Sequence, residues 1–372
     1  MTTLRVILDE ILVPAPTGTS RYAEDLTRAL IETAPAGCEV AGIVASSPQS
    51  EYDLLHERLP GLGELYKSAL ARRELTSAWQ HGFTRLPAGM VHAPSLLAPM
   101  AKHDRLHATG HQIVVTAHDA IAWTHPEAIG PRGVAWFEAM AKRAVRYADA
   151  IVVPTHAVAA QWGERFDLHD RIRVIGGAVS PRLALPPDPD RVAADLGLPE
   201  RFVLTAGGLE SRKGIDSLIE ALALLSDEVP LLVLGAEDAQ LEAAAMDLAP
   251  GRVRPIGDLS DAELAVVYSR AAAFVFPSIE EGFGLPMLEA FHFGTPVVHS
   301  DAPALVEVAG GAGLVVERDD PAGYPQRLAD ALESVLTDAA LAVRLSTLGT
   351  DRAGLFSWRS SAEKVWQLHA DL

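Results

Sequence analysis

Residues 274–300, FVFPSIEEGFGLPMLEAFHFGTPVVHS, leave the chain few ways to fold. The apolar run that ends at Pro277 predicts a buried parallel strand. A loop follows through Glu281, Gly282, Phe283 and Gly284. A helix then opens at Pro286, where a missing N–H costs nothing in the first turn. Gly294 and Pro296 stop it, and Val297-Val298 begins the next strand. Strand, loop, helix and strand in so short a span form a βαβ unit of an α/β fold.

The joint between loop and helix carries the chemistry. The backbone N–H groups of Phe283, Gly284 and Leu285 stand at a positive helix end, which suits a phosphate. Glu281 and Glu289 bracket that joint. Carboxylates repel phosphate but accept hydrogen bonds from hydroxyls, such as those of a sugar or a ribose. A nucleotide sugar has hydroxyls at both ends and phosphate between. On spacing alone, both glutamates read equally well as solvated residues flanking an ordinary helix start.

EGFGLPMLEA resembles the E-x7-E motif of the retaining glycosyltransferases of family 4, which have the GT-B fold. The likeness extends through FGTPVVHSDAPALVEVAGGAGLVV and, more loosely, over essentially the whole chain. It implies two Rossmann-like doubly wound domains facing across a cleft, with a C-terminal helix crossing back to the first. The proline-rich SPRLALPPDPD sets the expected boundary: residues 1–185 with helix 357–372 form an acceptor-binding domain, and residues 186–356 a nucleotide-sugar-binding domain.

Composition narrows the class. The formal charge of −18 argues against a nucleic-acid partner. Residues 1–185 hold 18 Lys+Arg against 19 Asp+Glu, and the remainder 13 against 30. The first half also has basic clusters, Lys67/Arg72/Arg73 and Lys142/Arg143/Arg146, which read as solvated helix faces. Any contact with an anionic membrane should be peripheral and made through that half. No apolar stretch is long enough to span a bilayer, and MTTLRVILDEIL has no leader pattern. The single cysteine, Cys38, reads as a core residue in a reducing compartment. A cytoplasmic location, or the inner face of the cytoplasmic membrane, is the expectation.

In chain order, Leu4–Leu8 predicts a strand, Pro14–Ser20 a loop and Arg21–Thr33 a helix. GTSRYAEDL resembles the family's first loop, where Gly18 would let backbone approach the phosphates and Tyr22 would lie on the acceptor side. Helices are expected over 50–59 and 64–79, and Met90–Pro94 resembles a strand end of the family. Ile113–Thr116 is a β-branched strand delivering His118 and Asp119 at its C-terminal end, where open α/β sheets place functional groups. On spacing alone His118 reads as a structural histidine. The resemblance of VVTAHDAIAWTHPE to the mannosyltransferase-like branch puts it near the donor sugar, with Asp119 orienting it or shaping the acceptor pocket.

The second half opens with strand 202–206 and GGLESRKGIDSLIEALALL. Arg212 and Lys213 are an adjacent cation pair in a very acidic half, which a diphosphate would explain. They match the family's diphosphate-binding pair. Gly208 stands where the commonest pattern has an arginine following glycine, and Ser211 replaces a usual proline. Ile256 and Asp258 resemble the loop that packs on the nucleobase. Glu307 reads as structural, and Asp319-Asp320 as a loop rather than a metal pair.

No G-x-x-x-x-G-K-[ST] and no G-x-G-x-x-G after the first strand are present. No cofactor or metal is expected, because Arg212, Lys213 and backbone amides can neutralise the departing diphosphate. The resemblance implies front-face attack, with the leaving phosphate receiving the acceptor's proton and His118 positioning rather than acting as a base. The expected activity is transfer of a hexose, mannose from GDP-mannose by preference, to a glycan, glycolipid or other hydroxyl acceptor. A GT-B epimerase or hydrolase of sugar nucleotides, and a non-catalytic nucleotide-sugar-binding subunit, are the alternatives.

Overall fold

The computed structural model describes residues 2–13, 17–83, 89–104, 110–235, 241, 245–246, 248–257 and 259–372. The chain divides into two α/β units, residues 1–177 with 357–372, and residues 178–356.

The first unit is built on seven parallel strands. They are β1 (Thr2–Ile7), β2 (Cys38–Ser46), β3 (Leu65–Ala71), β4 (Met90–Ala93), β5 (Gln112–Thr116), β6 (Ala150–Val153) and β7 (Ile172–Val174), in the order β3-β2-β1-β4-β5-β6-β7. Alternate side chains serve opposite faces. Ile7, Ile43, Val91, Val115 and Ile151 join Trp79, Met140 and Trp162 in one core. On β4 and β5 the alternate residues His92, Val114 and Thr116 are also buried. Helices Gly18–Glu32 and Trp358–Asp371 pack together, and Trp366 Nε1 donates to Leu30 O at 3.2 Å. The last helix therefore belongs to the first unit.

The second unit has six parallel strands, β8 (Val203–Ala206), β9 (Leu231–Leu234), β10 (Val253–Ile256), β11 (Ala273–Phe276), β12 (Val297–Ser300) and β13 (Leu314–Val316), ordered β10-β9-β8-β11-β12-β13. Strands β8, β11 and β12 are buried throughout, which is why the sequence shows apolar runs there instead of alternation. Val203, Leu231, Val275 and Val298 pack on Leu218, Leu222, Leu328 and Leu332. Leu204, Phe274, Phe276 and Val297 pack on Tyr268, Met287, Phe291 and Leu305. Each such side chain contributes about 1.5–3 kcal/mol by leaving water. Both units have the doubly wound parallel architecture expected from the sequence.

Three local expectations are corrected. Residues 64–79 are not one helix but the edge strand β3 followed by helix Arg72–His81. The helical spacing hid a tertiary pairing in which Leu65 lies beside Gly42, where a Cβ would stand 2.5 Å from its Cδ2. The first helix starts at Gly18 and not Arg21, because Thr17 and Ser20 form a capping box that pulls the loop residues into the first turn. The division between units follows Gly177, not residue 185, because Leu183 is buried in the second unit's core. Part of the Pro14–Ser20 loop, residues 14–16, lies outside the described residues.

Candidate functional site

In the second sheet β8 and β11 are neighbours, with β9 and β10 on one side and β12 and β13 on the other. The chain leaves these two strands toward opposite edges, and open α/β sheets bind ligands at such a switch point, outside the strand C-termini. The two loops that meet there carry the residues singled out in the sequence.

After β8 the chain runs through Gly207 and Gly208 into a 3-10 turn, Ser211–Lys213, closed by Gly214. After β11 it runs from Pro277 to Gly284. Ile279 N donates to Arg212 O at 2.6 Å and joins the loops. Gly214 has φ 66°, and a Cβ there would fall 2.4 Å from Pro277 O, so only glycine allows this approach. The second loop is held from behind. Ser300 Oγ donates to Ser278 O, Arg318 Nη1 to Ile279 O at 2.9 Å, and Tyr324 Oη to Pro277 O at 3.3 Å.

On this scaffold Lys213 Nζ lies 2.6 Å from Glu281 Oε1, and Arg212 Nη1 lies 3.6 Å from the same oxygen. All three side chains are largely buried. The Lys213 stem crosses Gly207, whose φ of 132° and missing Cβ leave room for it. Gly208 has no such constraint; a Cβ there meets only ordinary contacts with Glu210.

The loop then enters helix Leu285–His292 through Gly284 at φ 86°, with no side-chain cap and no acidic residue in the first turn. The N–H groups of its first turn have no intrahelical partner, and the helix dipole makes this end positive. Phe283 packs edge-on against Phe356 at 5.8 Å. One helix face further on, Glu289 is 6% exposed and accepts a hydrogen bond from Tyr268 Oη to Oε2 at 2.8 Å. Glu281, Arg212, Lys213, Gly284 and Leu285 therefore come together at the switch point, with Glu289 on the adjoining helix. Ile256 does not join them. It is buried in the core at the end of β10, the outer strand, two strands away from β8. Asp258 lies outside the described residues. Glu307 is in helix Pro303–Ala309, and Asp320 accepts from its own turn at Ala322 and Gly323.

In the first unit the switch point lies between β1 and β4. His118 follows β5, and its Nε2–H donates to Pro94 O, just after β4, at 2.7 Å. A carbonyl only accepts, so the neutral ring keeps its lone pair on Nδ1. Burial holds its pKa below the usual histidine value, against an upward pull from Pro94 O, Asp119 and Glu10. Tyr22 is buried and meets the His118 ring edge-on at 4.7 Å and Trp358 at 5.4 Å. Its buried hydroxyl makes no hydrogen bond of ordinary geometry among the described residues. Burial pushes its pKa up to about 12, only partly offset by the nearby Thr116 side chain. Asp119 Oδ1 caps Ile121 N at 3.0 Å, a local turn contact. Gly18 opens its helix with nothing within 4 Å of where a Cβ would stand.

Sequence reasoning missed three contributors. Tyr268 reads in sequence as one apolar residue of an amphipathic helix. Gly207 was hidden beside Gly208. Glu10 accepts from Ser95 Oγ at 3.2 Å, next to the carbonyl that holds His118. Its signal was an acidic pair, Asp9-Glu10, at the end of the first strand.

Known families cover most of the chain. Residues 16–183 match the model "Glycosyltransferase Family 4", and residues 200–338 match "Glycosyl transferases group 1". The chain belongs to the family 4 glycosyltransferases. It is 35% identical over 167 residues to the O-antigen chain mannosyltransferase B of Escherichia coli. That match covers 43% of this chain and 43% of the relative, so it spans less than half the relative's length. Among solved structures, sucrose-phosphate synthase from Thermosynechococcus elongatus aligns with a TM-score of 0.75 at 22% identity, over 100% of this chain and 99% of the other. The Anabaena protein HepE, in complex with UDP-glucose, aligns with a TM-score of 0.74 at 16% identity over all of both chains. These neighbours show the GT-B fold.

Among the described residues no helix is long and apolar enough to cross a membrane. Of the basic clusters, Arg72 turns inward, donating to Leu12 O at 3.4 Å and lying 3.9 Å from Asp9, and Arg143 donates to Met100 O.

Proposed function

We propose that this family 4 chain transfers a hexose from a nucleotide sugar to a hydroxyl of a glycan or glycolipid, with retention at the anomeric carbon and without a metal. The observation that carries this reading is the Arg212–Lys213–Glu281 cluster beside the uncapped Leu285 helix at the switch point of the second sheet. Two cations and a positive helix end suit a diphosphate, while Glu281 and Glu289 suit hydroxyls of the sugar and the ribose. Stabilising the departing diphosphate is worth roughly several kcal/mol for each well-placed donor. The leaving phosphate takes the acceptor's proton. His118, fixed by Pro94 and Tyr22, positions and polarises, and Tyr22 and Asp119 serve the acceptor side. Any membrane contact is peripheral and made by the first unit at the cytoplasmic face.

Mannose from GDP-mannose is the preferred donor, supported by the mannosyltransferase-like motif and by the name of the Escherichia coli relative. A UDP-hexose is the second reading, favoured by HepE with its UDP-glucose. The test is thermal stabilisation of the chain by GDP, UDP, GDP-mannose and UDP-glucose, since a ligand that binds only the folded state raises Tm. The donor so chosen is then incubated with glycan acceptors. A new glycosidic bond supports the transferase. Release of free sugar or an epimerised nucleotide sugar favours the hydrolase or epimerase alternative, and tight binding without turnover favours a binding subunit.

A further inference from the structure

Glu289 is the more buried of the two motif glutamates, and it is not placed by its own helix alone. Tyr268, on helix Asp261–Arg270, is 1% exposed and donates its hydroxyl to Glu289 Oε2 at 2.8 Å. The tyrosine is itself fixed. Its carbonyl accepts from Thr295 Oγ1 at 2.6 Å, its ring stacks on Phe293 at 6.2 Å, and Phe274 lies 5.8 Å away. A phenol held this way admits one carboxylate rotamer. A carboxylate has about four lone-pair sites, of which the phenol takes one.

We propose that Tyr268 is the positioning residue that turns Glu289 into a reader of vicinal ribose hydroxyls, so that the donor is a ribonucleoside diphosphate sugar and not a 2′-deoxyribonucleotide one. This rests on the assignment of Glu289 to the ribose made above. The physical reason is asymmetric cost. A buried carboxylate aimed at a hydroxyl that the ligand lacks is left short of a donor, which is costly, whereas a freely rotating carboxylate finds water instead. Selectivity between ribose and deoxyribose therefore depends on the restraint that Tyr268 supplies, as well as on the charge of Glu289.

The experiment is calorimetric titration of the full chain with GDP and dGDP, and with UDP and dUDP, for wild type, Tyr268→Phe and Glu289→Gln. In wild type the preferred ribonucleotide should bind about 10-fold or more tighter than its 2′-deoxy form. Tyr268→Phe should pull that ratio down to about 3-fold or less by weakening the ribonucleotide, leaving the deoxynucleotide affinity unchanged. A parallel loss for both nucleotides would mean that Tyr268 is only structural and would overturn the proposal. So would an unchanged ratio in Tyr268→Phe, or a wild type with no preference. If no nucleotide binds wild type, or if binding is indifferent to Glu289→Gln, the ribose assignment itself fails. The wild-type comparison decides between preference and none even if Tyr268→Phe does not fold.

Discussion

Lys213 Nζ and Glu281 Oε1 lie 2.6 Å apart, and Arg212 Nη1 is 3.6 Å from the same oxygen. The carboxylate assigned to the transferred sugar thus neutralises the two cations assigned to the diphosphate. Incoming phosphate must compete with Glu281 for them. Glu281→Gln should therefore strengthen binding of bare nucleoside diphosphate by about 3- to 10-fold, since it removes a competing anion, while slowing sugar transfer by about 100-fold. Titration with GDP and UDP alongside a transfer assay checks both halves. Equal loss of nucleotide affinity and activity would contradict this division of roles.

The same cluster predicts the converse for the cations. Arg212→Ala and Lys213→Ala should each weaken nucleoside diphosphate binding by about 10-fold or more, with the fold intact. Gly207→Ala should do so indirectly, because its Cβ would come 3.0 Å from Lys213 Cδ at a backbone φ of 132°. Circular dichroism separates these losses from unfolding.

Gly214 tests the scaffold. Its φ of 66° costs a substituted residue about 1–3 kcal/mol, before the clash of a Cβ 2.4 Å from Pro277 O is counted. Gly214→Ala should lower the denaturation midpoint and weaken nucleotide binding together, because the turn that carries Arg212 and Lys213 must move. Chemical denaturation with and without nucleotide measures both.

Much of this was legible in the sequence because it depends on local pattern. The buried runs at 203–206, 273–276 and 297–300 could only be central parallel strands, and the Gly284–Pro286 step gave the helix start directly. Glu281, Arg212 and Lys213 were readable because cations stood out in an acidic half. What escaped was set by tertiary contact. The edge strand Leu65–Ala71 exists because Gly42 leaves space for Leu65. The Tyr268–Glu289 bond joins residues 21 positions apart on separate helices, and no periodicity announces it.

Two buried histidines in the first unit predict acid sensitivity. His92 and His369 meet at 5.7 Å, and burial lowers both, His92 to about 4. Neither nitrogen of His92 has a hydrogen-bond partner among the described residues. Above the unfolded histidine value of about 6.5 both states are neutral and nothing is lost. As pH falls from there toward 4 the unfolded chain takes up protons that the folded chain refuses. The unit should lose about 3 kcal/mol of stability on His92's account over that window. Melting curves at pH 7.5 and 5 test this, and His92→Leu, which cannot titrate, should flatten the dependence.

Tyr22 separates packing from chemistry on the acceptor side. Its ring supports His118 at 4.7 Å and Trp358 at 5.4 Å, while its buried hydroxyl makes no well-formed hydrogen bond among the described residues. Tyr22→Phe keeps the ring and removes an unsatisfied polar group, so stability should hold or rise by about 1 kcal/mol. Tyr22→Ala removes the ring and should cost about 3–5 kcal/mol, as aromatic-to-alanine cavities do, and it should free the His118 imidazole. If His118 acts through its fixed position, transfer should survive Tyr22→Phe and fall in Tyr22→Ala, with nucleotide affinity unchanged in both. Loss of transfer in Tyr22→Phe at full stability would instead place the hydroxyl itself in contact with the acceptor. Steady-state rates measured beside thermal melts of the two variants decide which.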